Sequence, residues 1–240
     1  MKLLIVGTVV AVAMGMVVGC ALIDEANNTS HMKALFAKAN SGDAKAQREL
    51  GEIYYNGNGV EKNYTNAVIW FRKAAEQGNV IAQRRLGYCY ELGNGVSADC
   101  TNAVKWYRMA AEQGDATAQC NLGACYEEGY GISKDYKNAV IWYRKAAEQG
   151  DAIAQGNLGF CYYNGQGIAR DYEEAVKWYQ KAAKQGNAIA QCNLGLCYDT
   201  GNGITKDHEE AVHWLHKSAA QRYAPAQHLL MQMTLLNPDK

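Results

Sequence analysis

Five tryptophans, Trp70, Trp106, Trp142, Trp178 and Trp214, stand 36 residues apart. Gly42, Gly78, Gly114, Gly150 and Gly186 keep the same spacing, and the text around them returns with them. AVIWFRKAAEQG begins at Ala67, AVKWYRMAAEQG at Ala103, AVIWYRKAAEQG at Ala139, AVKWYQKAAKQG at Ala175 and AVHWLHKSAAQR at Ala211. A fixed period of this size marks a repeat array, in which each unit is one supersecondary element that buries its apolar face against its neighbours. Such a chain grows by adding units and needs no single central core. Length alone, 240 residues, would have suggested one or two globular domains, and the period overrides that prior.

Inside the unit that starts at Gly150, two helices can be read. Asp151 is an N-cap residue type. Ala154, Leu158, Cys161 and Tyr162 follow at spacings of three and four and form one apolar stripe. This predicts a first helix, A, over Ala152 to Asn164. Gly165 supplies the left-handed residue that ends it, Gly167 continues the turn, and Ile168 plugs the space beneath. Asp171 caps a second helix, B, and Glu174 three residues later predicts a capping box. Ala175, Val176, Trp178, Tyr179, Ala182 and Ala183 form its buried side. Gly159 sits within helix A, as do Gly51, Gly87, Gly123 and Gly195. An interior glycine costs about 1 kcal/mol against alanine, so its return in each unit predicts a compensation, an aromatic such as Tyr179 lying over the missing side chain.

The expected fold is all-α: an α/α right-handed superhelical solenoid of about five 36-residue helix-turn-helix repeats with terminal capping helices. The repeats run over 42–77, 78–113, 114–149, 150–185 and 186–221. Residues 24–41 hold a short polar tether and an N-terminal capping helix (His31 to Ala39, with Ser30 as its N-cap). Residues 222–240 form a closing half-repeat, where Arg222, Met231 and Thr234 replace the glycine, interior glycine and tyrosine of the pattern.

Residues 1–23 stand apart. After Lys2 no charge occurs until Asp24. Three readings of this segment remain open. Val17-Val18-Gly19-Cys20 is similar to a bacterial lipobox, which would make Cys20 a lipidation site. Leu3 to Ile23 is 21 residues, long enough for an uncleaved membrane anchor. An ordinary cleaved signal is the third. All three export the repeats, to the periplasm or cell envelope.

The repeated residues A-x-x-x-L-G-x-x-Y-x-x-G-x-G-[VI] followed by A-[VI]-x-W-[YF]-x-[KM]-A-A-x-Q-G resemble the Sel-one-like repeat (SLR) family, relatives of the tetratricopeptide repeats, over Gly42 to Leu236. The resemblance implies a protein-interaction scaffold, common in bacterial envelope and signalling proteins. By the same resemblance helix A would line a concave groove. The groove positions are Arg48 and Tyr55 in the first repeat, Ile81, Arg84, Tyr88 and Leu92 in the second, and Glu127 and Glu128 in the third. Ile153, Phe160 and Tyr163 follow in the fourth, and Ile189, Leu196 and Asp199 in the fifth. Cys120 and Cys192 fall on the same face. These positions differ between units while the core positions repeat, as a binding surface on a repeated scaffold requires. Several are apolar without a packing duty, and an exposed apolar patch marks an interaction site. The mix suits an extended or helical peptide. The competing reading is that the face packs on itself or meets only water.

Cys89, Cys125, Cys161 and Cys197 recur on the buried side of helix A as small core residues. Equivalent positions on successive units are expected about a helix-packing distance or more apart, 8–10 Å, beyond disulfide reach. A Cys89–Cys100 bridge is the one intra-unit pairing the spacing leaves open. A cysteine-rich branch of the family carries a helix-clamping disulfide in each unit. At the corresponding positions this chain has Ala75 and Gln83, Ala111 and Gln119, and Ala147 and Gln155.

Members of that branch are described as β-lactamase-like or penicillin-binding, which makes such activity the alternative function. Ser30-His31-Met32-Lys33 has the S-x-x-K spacing, but the companion S-D-N and K-T-G elements are missing. His213 and His216 share a helix face but replace solvent-facing residues of the previous unit. No Cys-x-x-Cys, His-Glu-x-x-His, Walker or Rossmann pattern occurs. The sequence therefore predicts no catalytic residues, no cofactor and no metal. Zero formal net charge and the lack of a basic run give no case for nucleic acid. The expected partner is a protein or peptide, with membrane contact only through the N-terminal segment, and the chain is expected to be a monomer. Self-assembly through the apolar closing helix is a third class of reading.

Overall fold

The computed structural model describes residues 30–236. The N-terminal segment, the tether before residue 30, Cys20 and the last four residues lie outside the described residues, as do the side chains of Thr234, Leu235 and Leu236. In chain order the helices are α1 (30–40), α2 (Ala44–Asn56), α3 (Tyr64–Glu76), α4 (Val80–Leu92), α5 (Cys100–Glu112) and α6 (Ala116–Glu128). They continue as α7 (Tyr136–Glu148), α8 (Ala152–Asn164), α9 (Tyr172–Lys184), α10 (Ala188–Thr200), α11 (His208–Ala220) and α12 (Ala224–Leu236). No strand occurs among the described residues. The chain divides into two compact units. One holds Met1–Cys89 with Gly93–Ser97, the other Tyr90–Leu92 with Ala98–Lys240.

Helix boundaries follow from local chemistry. Each helix A from α2 to α10 is preceded by Asp or Asn, whose side chain accepts the backbone N–H three residues on: Asp43 from Ala46 and Asp151 from Ala154, both at 2.8 Å. Each ends at a glycine in the left-handed region, as at Gly165 (φ 73°). Helix B starts the same way, Asp171 accepting from the Glu174 N–H at 3.0 Å. The predicted capping box is only half made. The Asp171 N–H donates instead to the Tyr162 carbonyl at 3.0 Å, and the Glu174 carboxylate pairs with Lys177 at 3.0 Å. Ser30 is itself helical rather than the residue before the helix.

In the first unit, α1 closes the array. Leu35 and Ala39 pack with Ala46, Leu50 and Trp70, and Phe36 meets the Tyr54 and Trp70 rings edge-on at 6.4 and 6.1 Å. In the second unit the core is a series of small clusters, one for each neighbouring set of helices. Val140, Tyr143, Leu158, Cys161 and Trp178 form one; Val176, Tyr179, Leu194 and Cys197 form the next. Ile168 lies half-buried against the first, as expected. At the far end Ala226, Leu229, Leu230 and Met233 of α12 cover Cys192 and Leu215.

Two glycine positions explain how closely the helices stack. A Cβ on Gly159 would sit 2.8 Å from the Tyr179 ring and 3.2 Å from the Ala175 carbonyl, so the aromatic fills the space that glycine leaves. Leu215 does the same over Gly195, at 2.8 Å. Gly167 (φ 69°) lies against the Tyr136 carbonyl, where any Cβ would overlap the backbone of the preceding repeat. Its role therefore exceeds continuing a turn: it lets one repeat's loop rest on the start of the previous helix B.

A buried glutamine ladder runs through the repeats, and no role had been read for these residues in the sequence. The Gln155 side chain, 5% exposed, donates from Nε2 to the Ala147 carbonyl at 3.1 Å and accepts from Gln185 Nε2 at 2.8 Å. Gln47, Gln119 and Gln191 make both bonds in the same way, and Gln83 donates to Ala75 at 3.1 Å. These are the positions where the cysteine-rich resemblance places a disulfide. Here a carboxamide-to-carbonyl hydrogen bond ties the same two residues. The legible signal was the Ala-Gln pair returning in every unit, with a second glutamine 30 residues on that stands before a glycine in the first four units and before Arg222 in the fifth.

Candidate functional site

In the second unit, α8 and α10 lie side by side with their outer face open. Ile153 is 61% exposed, Phe160 42% and Ile189 52%, and Leu196 is half-buried. The buried stripe of α8 consists of Ala154, Gln155, Leu158 and Cys161, so these larger groups belong to the opposite side of the helix. They cannot pack inward without displacing that stripe. Between the two helices lies a small cleft of about 130 Å³, lined by Phe160, Tyr163 and Asn164 of α8, Tyr179 of α9, and Asn193 and Leu196 of α10.

The walls of the cleft are held in place. The Tyr163 ring packs on Tyr172 at 4.9 Å and on Tyr179 at 6.5 Å, and its hydroxyl accepts from Asn202 Nδ2 at 2.9 Å. Tyr179 forms the floor, 1% exposed. Burial pushes its phenol above the ordinary value, while a hydrogen bond with Asn193 pulls the other way. The Asn164 amide donates to its own helix at the Phe160 carbonyl, 3.0 Å. A rigid apolar slot with carboxamides on its rim can take a bulky apolar side chain and hydrogen-bond the chain that carries it.

The remaining predicted positions sort by unit. In the second unit Leu92 is 52% exposed and Glu128 exposed. Glu127 is half-buried and accepts the Tyr143 hydroxyl at 2.6 Å; the carboxylate is the second cause, after burial, that raises this phenol. Asp199 lies 4.0 Å from the His208 ring. In the first unit Ile81 and Tyr88 are 39% and 38% exposed, while Arg48 and Arg84 are half-buried. Tyr55 is held by the Tyr64 ring at 5.0 Å and by Asn94 Nδ2, which donates to its hydroxyl at 3.1 Å. Arg85, not singled out from the sequence, pairs with Glu52 at 2.7 Å and lies 5.9 Å from the Tyr55 ring.

Cys120 and Cys192 do not line the face. They are 5% and 4% exposed. Their position is a seam against the following helices: Cys192 packs with Leu215 and Ala226, and a Cβ on the equivalent Gly156 would meet Asn187 and Ala190 at 3.8 and 3.9 Å. All seven described cysteines are unpaired, Cys89 and Cys100 included. Burial pushes the Cys89, Cys125, Cys161 and Cys197 thiols up to about 12, while Cys100 is exposed. Trp70, Trp106 and Trp178 are buried and Trp142 and Trp214 half-buried, each with a lysine laid over it, as Lys145 4.0 Å from the Trp142 ring and Lys181 3.8 Å from Trp178. His213 and His216 are exposed, and no group of three metal-ligating side chains occurs among the described residues. Nor is any described helix long and apolar enough to cross a membrane.

Comparison with known proteins places this geometry among relatives. The Sel1 repeat family model matches residues 44–79, 80–115, 116–151, 152–187 and 188–223. A protective antigen of uropathogenic Escherichia coli with an SLR fold is 38% identical, with a TM-score of 0.80, over 87% of this chain and 44% of that one. A Sel1 repeat protein from Oxalobacter formigenes is 40% identical, with a TM-score of 0.75, over 85% of this chain and 84% of its own. The secretory immunoglobulin A-binding protein EsiB of Escherichia coli is 50% identical over 44 residues, 18% of this chain and 9% of that protein. The chain thus spans less than half the length of either Escherichia coli protein.

Proposed function

The chain belongs to the Sel1 repeat family, whose members are generally non-catalytic and mediate protein interactions, and from that premise we propose that it is a non-catalytic scaffold that holds an apolar peptide or protein segment on the A-helix face of its fourth and fifth repeats. The observation that carries the reading is the open row of Ile153, Phe160, Ile189 and Leu196 around a preformed cleft. Large apolar groups left on the surface of one face are costly to hydrate and gain about 25 cal/mol per Å² when a partner covers them. Arg48, Tyr55, Ile81, Arg84 and Tyr88 are proposed as contacts on the first unit's own A-helix face. The bacterial cell envelope is the proposed location. Residues 1–23, with Cys20 as lipid acceptor or the whole stretch as anchor or signal, support it. The binding partner named for EsiB is not carried over, because that match is barely longer than one repeat.

The test compares wild-type protein with a Phe160→Glu/Leu196→Glu double variant that keeps its helical circular dichroism. Both are used to capture proteins from an envelope extract, with a photo-crosslinking residue at position 153. Partners crosslinked by the wild type and lost by the variant support the reading. Equal crosslinking by both removes function from this face.

A further inference from the structure

The charges of the second unit are sorted between its two layers of helices. Helices α6, α8 and α10 contain no lysine, arginine or histidine, yet carry Glu127, Glu128 and Asp199. The cations of this unit sit on the B helices and loops, with Lys145 and Lys181 laid over tryptophans. A chain of zero net charge therefore presents an A-helix face that is apolar and anionic. A face of one sign attracts the opposite sign and rejects its own.

The repeat register says where the negative charge lies relative to the cleft. Phe160, Tyr163 and Asn164 of the cleft correspond to Ala124, Glu127 and Glu128 one repeat earlier. Beneath Glu127 the Tyr143 hydroxyl donates at 2.6 Å, from the place that Tyr179 takes under the cleft. That donation fixes the half-buried Glu127 beside the exposed Glu128. Their field reaches Lys134, whose ammonium is engaged first by the Tyr136 hydroxyl and lies 4.8 Å from the Tyr136 ring. At the opposite rim Asp199 lies 4.0 Å from His208.

Resting on the functional reading above, we propose that the occupant is an extended peptide segment carrying a bulky apolar residue and, about three residues away, a lysine or arginine. The apolar group fills the cleft between α8 and α10, and the cation docks at Glu127 and Glu128. The spacing follows from geometry. Successive A helices are set a helix-packing distance or more apart, about 8–10 Å at least, and an extended chain advances about 3.3 Å per residue, so one repeat corresponds to about three residues of ligand or slightly more. Carboxamides at Asn164 and Asn193, in the cleft lining, supply donors and acceptors for the unpaired backbone of such a segment.

The full chain is panned with a random twelve-residue phage-displayed library, and enriched peptides are measured by fluorescence anisotropy. The expected pool pairs an apolar residue with a basic one three positions away. Glu127→Gln/Glu128→Gln keeps an acceptor for Tyr143, and it should weaken such peptides roughly tenfold, with loss of their salt dependence, since two partly exposed ion pairs contribute about 0.2–1 kcal/mol each. Phe160→Glu should abolish binding. Winners without a basic residue, or within twofold on the glutamine variant while still lost on Phe160→Glu, overturn the charge assignment and leave the face reading standing. No enrichment over the Phe160→Glu/Leu196→Glu variant overturns both. A concentration-dependent dimer in sedimentation that Phe160→Glu dissolves gives the face to a second copy and likewise overturns the peptide.

Discussion

Replacing Gln155 with alanine probes the ladder that ties the repeats together. The substitution deletes the 3.1 Å bond to the Ala147 carbonyl and the acceptor for Gln185 at 2.8 Å. Neither partner is orphaned. The Ala147 carbonyl still receives the Gly150 N–H at 3.0 Å, and Gln185 still donates to the Gly150 carbonyl at 3.0 Å. The loss is therefore two net hydrogen bonds, about 0.5–1.5 kcal/mol each, plus a small cavity in a site only 5% exposed, costing about 1 kcal/mol. The expected total is about 2–4 kcal/mol. Gln155→Leu restores the volume and loses only the bonds, about 1–3 kcal/mol. Gln185→Ala removes the shared bond from its exposed end, where water replaces the amide, and costs at most about 1 kcal/mol. Urea unfolding gives the ranking. Because a repeat array opens locally, hydrogen exchange at the Gly150 and Asp151 amides should locate the loss. Gln155→Ala within about 0.5 kcal/mol of wild type, or Gln185→Ala costing as much as Gln155→Ala, would refute the argument that burial of the carboxamide sets its contribution.

Two glycines three residues apart should respond in opposite directions. Gly159→Ala drives a Cβ to 2.8 Å from Tyr179 and should destabilise by about 1–3 kcal/mol, whereas Gly156→Ala has no neighbour nearer than 3.8 Å and should stabilise by up to about 1 kcal/mol through helix propensity; urea midpoints of the two variants check both signs. At pH 8 a thiol reagent should label Cys100 of the native protein and spare Cys125, Cys161 and Cys197, which mass spectrometry of the labelled peptides reads directly. The same thiols predict alkaline instability. Their folded pKa is raised to about 12 from an ordinary value of 9.0, so the folded state holds protons that the unfolded state releases. Stability is full below the ordinary value and falls as pH rises from there toward 12, with Tyr143 and Tyr179 acting in the same sense. A denaturation midpoint that does not fall between pH 9 and pH 11 contradicts those shifts.

Much of this molecule is decided within four residues of any position, and that part was legible in the sequence. The cap at Asp151, the stripe from Ala154 to Cys161 and the stop at Gly165 define α8 with the bounds expected of it. The 36-residue return of that text determines an all-α array, and the pairing of Gly159 with Tyr179 follows because one repeat contains both partners. The exposure of Ile153, Phe160 and Ile189 was legible for the same reason: a helix with one buried stripe must turn its other side outward. Other features depend on what another helix brings, and only the tertiary structure decided them. Cys120 and Cys192 share the outward-tilted flank of helix A, but the neighbouring helix closes over them. Glu127 was expected to serve a partner, and Tyr143, on the following helix, takes one of its oxygens. Gln155 and Gln185 lie 30 residues apart, and neither shows in its own helix that the two meet. The physical reason is one of range. Capping, turn chemistry and periodicity act through the backbone nearby, whereas burial and hydrogen bonding at a seam are set by side chains on another helix, 16 or 30 residues away in the pairs just named.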